Sequence, residues 1–377
     1  MAKLKDQNIN QDVLSKVAYN LFDVSKKEKT FLLIVCILVT TAGVIADYTY
    51  AAMWFGFFLA AYSAVANDSI QTIGTFISSN YDRKWYWLWL FMGIIWLLTV
   101  GYSWFVYDGD VSHQRLAVPG LDQAPQSFEF LQLLAPIVLL VMTRMRMPVS
   151  TTFLLLNVFT YKAGTLFSVI GKSLAGYVLA FGIAILVWFL MERFVENFLK
   201  GKPHPAWYIF QWIISGLLWS VWIMQDAANI AVFLPRQLSA VEFTVYAGFV
   251  FFGLGFLFYM KGDKIQSIVN AKTRVTDVRA ATLVDFVYTI ILFYFKMYSN
   301  IPMSTTWVFI GLLGGREIAI AIGKKKAKAN KKKIRFFRSL GMASSDIGKA
   351  SIGLIVSLIL AILINENIRT EIWEYFK

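Results

Sequence analysis

A chain of 377 residues that is 58% hydrophobic and only 16% charged, with mean hydropathy +0.58, lacks the polar skin a water-soluble globule of this size needs. Its formal charge of +13 would suit nucleic acid in a soluble protein, but in a membrane protein it reports where the cations lie. The one cysteine, Cys36, falls in an apolar run, which excludes an intramolecular disulfide.

Residues 1–29 carry six lysines and four acids and lack the apolar core of a signal peptide, so they are expected to form a cytosolic tail. A bilayer span takes about 20 apolar residues. Apolar runs cut at charges and Pro/Gly clusters predict an extra N-terminal span at 30–48, then spans at 51–80, 85–107, 128–143, 148–170 and 173–195. Five more stretches follow at 206–233, 239–260, 281–297, 301–322 and 349–366, the last two separated by a basic cytosolic loop at 323–349, before a tail at 367–377. The fold class is thus an all-α polytopic membrane protein of about 11 transmembrane segments.

Alternating sides from a cytosolic N-terminus puts 28 of the 36 Lys and Arg residues inside and five outside, with Lys162, Lys296 and Arg316 within spans. This bias follows the positive-inside rule and predicts a plasma or inner membrane protein with its C-terminus outside.

Two patterns recur at nearly one offset. Asn67-Asp68-Ser69-Ile70-Gln71 corresponds to Gln225-Asp226-Ala227-Ala228-Asn229 at 158 residues. Met147-Pro148-Val149-Ser150-Thr151-Thr152 corresponds to Ile301-Pro302-Met303-Ser304-Thr305-Thr306 at 154, an offset that also lays Lys162 on Arg316. Each copy then holds five spans, in 49–195 and 206–366. A five-span unit repeated in tandem must insert its second copy upside down, giving two inverted five-helix repeats plus the N-terminal helix.

An aspartate in an apolar span costs about 2.5 kcal/mol or more to insert and faces a cavity, an ion or a partner. Asp68 and Asp226, with the amides Asn67, Gln71, Gln225 and Asn229, offer oxygen ligands suited to Na⁺ or a proton carrier. The Pro-x-Ser-Thr-Thr segments suit helix starts whose free N–H groups and hydroxyls can meet an oxyanion, which makes Ser150, Thr151, Thr152, Ser304, Thr305 and Thr306 the candidate substrate ligands. Lys162 and Arg316, the latter neutralised by Glu317, are candidate pathway charges. Glu129 and Asp285 form a weaker corresponding pair. Two aspartates and a phosphate cannot gather in low dielectric without added cations, which points to symport.

The run at 324–338 reads as a topology-setting basic loop that can meet anionic lipid, and the tryptophans as an interfacial belt. The two histidines, His113 and His204, stand in predicted loops, and no Walker A, dinucleotide or Gly-x-Ser-x-Gly pattern occurs. An enzyme is therefore not expected.

The motifs resemble those of the inorganic phosphate transporter (Pit) family, sodium- or proton-coupled phosphate permeases with sulfate-transporting relatives, which carry Gly-Ala-Asn-Asp-Val-Ala-Asn and Pro-Val-Ser-Thr-Thr in each inverted half. Ala66-Asn67-Asp68 and Gln71 stand at the first signature, Gln225-Asp226-Ala227-Ala228-Asn229 at the second, and both Ser-Thr-Thr elements match. The leading glycines are Val65 and Ile223, and the family's histidine after Ser-Thr-Thr is Phe153 or Trp307. The resemblance implies cation coordination by Asp68, Asp226 and their amides, with Na⁺ as the metal where one binds. It also implies oxyanion or cation contact by the hydroxyls.

The function expected is cation-coupled symport, with Na⁺ or H⁺, of inorganic phosphate or a similar tetrahedral oxyanion. A sulfate permease is the nearest alternative, and a transport-dead receptor or scaffold of the same fold the more distant one. No cofactor is expected beyond the co-transported ion. The partners are phosphate or sulfate, Na⁺ or H⁺, membrane lipids and, as one option, a second copy in a homodimer; nucleic acid is not among them.

Overall fold

The computed structural model describes residues 28–145, 147, 149–198, 201–260, 277–323 and 329–375, which form helices and the turns joining them, with no strand among them. The chain opens with α1 (Lys29–Ile45) and α2 (Thr49–Ser63), which continues through a π turn at Ala64–Asp68 into α3 (Ser69–Ser79). Next come α4 (Trp85–Val106), α5 (Phe130–Arg144) and a short distorted segment of π turn Thr152–Leu156 and 3₁₀ turn Asn157–Phe159. Then follow α6 (Ala163–Phe198), α7 (Ala206–Ala231), α8 (Ala240–Tyr259), α9 (Val278–Tyr298), α10 (Thr305–Gly323), α11 (Ala329–Ile364) and α12 (Glu366–Tyr375).

Among the described residues eight helices are long and apolar enough to cross a membrane, and two shorter apolar ones, α1 and α5, accompany them. Large apolar side chains lie exposed around the perimeter, Phe105, Val178, Phe252 and Met297 among them. Water would not tolerate such a surface and hydrocarbon would. This is the make-up of a polytopic membrane protein.

Contacts sort the connections into two ends. At one, Arg144 pairs with Glu28 (2.8 Å), Asn80 bonds Gln211 (2.9 Å), and Arg279 Nη2 donates to the Gly201 carbonyl (3.1 Å). At the other, Arg236 Nε donates to Leu121 O (2.9 Å), the Tyr161 amide to Gly120 O (3.0 Å) and Asn365 to Thr160 O (2.8 Å).

Two boundaries differ from the sequence reading. The stretch 148–170 is not a straight span: extended chain leads into the short segment 152–159, and one unbroken helix, α6, runs from Ala163 through the expected break at Gly171-Lys172. That break was placed on a charge, but the Lys172 ammonium is satisfied by Ser299 O (2.9 Å) and Ile301 O (2.5 Å), so the helix has no reason to stop. The expected loop 323–349 is helical from Ala329 onward, where Ala, Lys and Arg favour the helix that becomes α11. The tail 1–27 and residues 324–328 lie outside the described residues.

Irregular backbone at membrane depth must find partners within the protein. Around 152–159, α11 supplies them. Ser357 Oγ donates to Phe153 O (2.5 Å) and accepts from Asn157 Nδ2 (3.0 Å), and Asn365 reaches Thr160 O. The closest helix pair is α6 with α10. A Cβ on Gly311 would lie 2.4 Å from Tyr177 O, and one on Gly315 would lie 2.3 Å from Phe181 O. The glycines and the carbonyls they face share a four-residue spacing, so two backbones touch along matching turns, as small residues permit in membranes.

Candidate functional site

Each carboxylate sits where a polar residue interrupts an apolar helix. Asp68 ends the π turn, whose wide ring is closed by the Ser69 amide on Ala64 O; Asp226 lies on regular α7. They are 2% and 3% exposed, so bulk water does not solvate them. Asp68 accepts from Asn67 Nδ2 (2.8 Å) and from the Thr151 hydroxyl. Asp226 accepts from Asn229 Nδ2 (2.6 Å), Thr152 Oγ1 (3.4 Å) and Thr305 Oγ1 (2.5 Å). Asn229 Nδ2 also donates to Thr151 Oγ1 (2.8 Å), so one hydrogen-bonded chain joins Asp68, Thr151, Asn229 and Asp226.

The two Ser-Thr-Thr segments meet here. Thr151 serves Asp68 as its counterpart Thr305 serves Asp226. The one proton of Thr152 Oγ1 is shared between Asp226 Oδ1 and, across the pair, Met303 O (3.2 Å), and its counterpart Thr306 Oγ1 donates to Val149 O (3.5 Å). Phe153 and Trp307, also counterparts, contact edge to face at 5.9 Å. Ser150 and Ser304 turn the other way: each hydroxyl accepts from the amide three residues on, Phe153 at 3.2 Å and Trp307 at 3.3 Å, and so caps its own segment. Trp222 Nε1 donates to Thr305 Oγ1 (3.2 Å) and Tyr288 OH to Thr305 O (3.0 Å), which fixes that threonine from two sides.

At the site, the buried amide oxygens Gln225 Oε1 and Asn229 Oδ1 have no hydrogen-bond partner among the described residues. Beside Asp226, between Ser69, Trp219 and Trp222, is a cavity of about 10 Å³, roughly the space of one water. Carboxylate, hydroxyl and amide oxygens without sulfur or imidazole are the donor set of a hard cation. No group of three His, Cys, Asp or Glu side chains gathers among the described residues, so any bound cation would rely on that mixed oxygen set.

The remaining candidates lie elsewhere. The side chain of Gln71 and the residue Pro148 are outside the described residues. Lys162 is exposed in the turn before α6, 5.8 Å over the Tyr161 ring. Arg316 is buried, paired with Glu317 at 2.9 Å and stacked on Trp188 at 5.5 Å. It lies eleven residues, about 16 Å, beyond Thr305 along α10. Glu129 is exposed and caps α5 with Gln132. Asp285 is buried and accepts from Thr75 (2.6 Å) and Ser215 (2.5 Å).

Sequence reasoning missed Arg115. The 107–129 loop folds inward and buries it completely, and its Nε donates to Met224 O (3.4 Å), two residues from Asp226. Burial pushes its guanidinium down to about 9 and Asp226 draws it back up, so it stays charged at neutral pH. A loop arginine gives no signal of this in the sequence. Trp222 and Tyr288 had one, since each lies on the Asp226 or Asp285 face of its helix, but the tryptophans read as membrane belt and Tyr288 belongs to neither repeated motif. No family model, curated protein or solved structure matches the chain, so its function is argued from this geometry.

Proposed function

We propose that the chain is a secondary transporter of two inverted five-helix repeats preceded by α1, with eleven membrane crossings in all. In this reading it carries inorganic phosphate or a similar tetrahedral oxyanion across the plasma or inner membrane by symport with Na⁺ or H⁺, as the likeness to the Pit family implies. The observation that carries the reading is the convergence of both motif copies on one buried place, each supplying a carboxylate, an amide and paired threonines. Packing alone gives no reason for two distant segments to bring the same polar groups to one point within hydrocarbon.

Asp226 with Gln225 Oε1, Asn229 Oδ1 and Thr305 supplies oxygen for one cation, and Asp68 with Thr151 supplies the counterpart. The amides at the start of α10 and the adjacent hydroxyls meet the anion. Bound cations remove the repulsion between carboxylates and anion, so neither ligand is held well without the other, and that mutual dependence is coupling. With more cation charge than anion charge moved, each net charge gains about 2.3 kcal/mol per 100 mV.

Uptake of radiolabelled phosphate into proteoliposomes, with sulfate as competitor and Na⁺ or proton gradients imposed separately, tests this. Gradient-driven accumulation is expected, and Asp68→Asn or Asp226→Asn should reduce it more than about a hundredfold, the effect of losing a charged ligand in a buried site. If neither anion accumulates under any gradient, the reading fails in favour of a receptor or scaffold. Accumulation indifferent to both gradients would instead indicate a passive path.

A further inference from the structure

Three cations converge near the outer end of the site with no carboxylate in ion-pair contact among the described residues. Arg115 comes from the 107–129 loop, Lys172 from α6 and Lys296 from α9. Arg115 Nη1 and Lys172 Nζ donate to the same two acceptors, Ser299 O (2.5 and 2.9 Å) and Ile301 O (3.1 and 2.5 Å), so the two charges lie within a few ångströms of each other. Lys296 Nζ donates to His113 O (3.0 Å), two residues from Arg115. Asp226 acts on Arg115, and Asp110 on Lys296, only through space.

One cation would satisfy the carbonyls after α9, yet two meet there and a third is held close by on His113 O. Like charges brought together out of water repel strongly, so a purely structural cluster should be selected against. The donor inventory shows what remains. Arg115 is 0% exposed, yet its Nη2 has no hydrogen-bond partner. Each lysine ammonium has three N–H groups and uses two at Lys172 and one at Lys296.

We propose that Arg115, Lys172 and Lys296 form an oxyanion-binding site for a tetrahedral phosphate or sulfate, distinct from the threonine and aspartate site. A guanidinium edge and two ammonium groups match such an anion in charge and in N–H donors. The site adjoins the central one: Arg115 bonds Met224 just before Gln225-Asp226, and Ile301 immediately precedes the second Pro-x-Ser-Thr-Thr. An anion held here waits one step from Thr305. The role as an antechamber rests on the transport reading, whereas the binding site itself does not.

The test is equilibrium binding of radiolabelled phosphate to the purified full-length protein in nanodiscs of neutral lipid. Lys172→Gln with Lys296→Gln should weaken binding about tenfold or more, and Arg115→Gln at least as much, with Arg115→Lys retaining part of it. The lysines are half-buried, so their variants guard against misfolding of the Arg115 variants. On an Asp226→Asn background, which removes a cation ligand of the central site, the phosphate still bound should be lost when the two lysine changes are added, which separates this site from the coupling reading. Binding unchanged in the double lysine variant, or absent from the parent protein, overturns the proposal. Repeating the assay with phosphatidylglycerol in the disc identifies the source: competition assigns the site to a lipid phosphate and its absence to the free anion.

Discussion

His113 shows how a single residue records its surroundings. Burial pushes its imidazole down to about 4, with Lys296 and Arg115 adding to the effect, so it is neutral at physiological pH. In the unfolded chain it titrates near 6.5. The folded value lies below the unfolded one, so unfolding takes up a proton. Stability is therefore complete above about pH 6.5 and falls as pH drops toward 4, by about 3 kcal/mol in all. Thermal unfolding in detergent without phosphate should show the parent protein losing stability between pH 7 and 5, and His113→Gln losing less. Equal losses would mean that the imidazole is not buried beside those cations. At this scale the sequence revealed Asp68, Asp226 and the threonines because polar groups stand out against apolar spans. It concealed Arg115, because a cation in a loop is ordinary until the loop is seen to turn inward.

Among the elements, α6 and α10 hold the second Ser-Thr-Thr segment in place. With Gly311 against Tyr177 O and Gly315 against Phe181 O, a methyl group at either glycine has no room unless the backbones part. Gly311→Ala should therefore cost about 2–4 kcal/mol and shift Thr305 away from Asp226. Gly164→Ala, on α6 where a Cβ meets nothing within 4 Å, should be tolerated. Relative melting temperatures and phosphate uptake of the two variants would check the contrast. Helix existence was legible from apolar run length, but the π turns were not. They arise from local competition: the Ser69 hydroxyl bonds back to Val65 O at 2.5 Å, and Ser357, two hundred residues away, takes up the Phe153 carbonyl. The second copy of each motif lacks these partners and stays a regular helix, so the two copies differ in shape while sharing chemistry.

For the whole molecule, the proposed orientation makes the first set of end contacts inner and the second outer. On a Cys36→Ser background, Gln123→Cys in the 107–129 loop should react with a membrane-impermeant maleimide in intact cells, and Lys202→Cys only after permeabilisation. The reverse pattern would invert the topology, and labelling of both in intact cells would break it. Span boundaries were least legible where charge was taken for a border, as at Lys172, because a cation with carbonyls in reach can remain inside a helix.

The reciprocal bonds from Thr152 to Met303 O and from Thr306 to Val149 O have a mechanical consequence. Both cross between the same two segments, 149–152 and 303–306, in opposite directions. The segments therefore stay clasped while either bond holds, and they part only when both are broken.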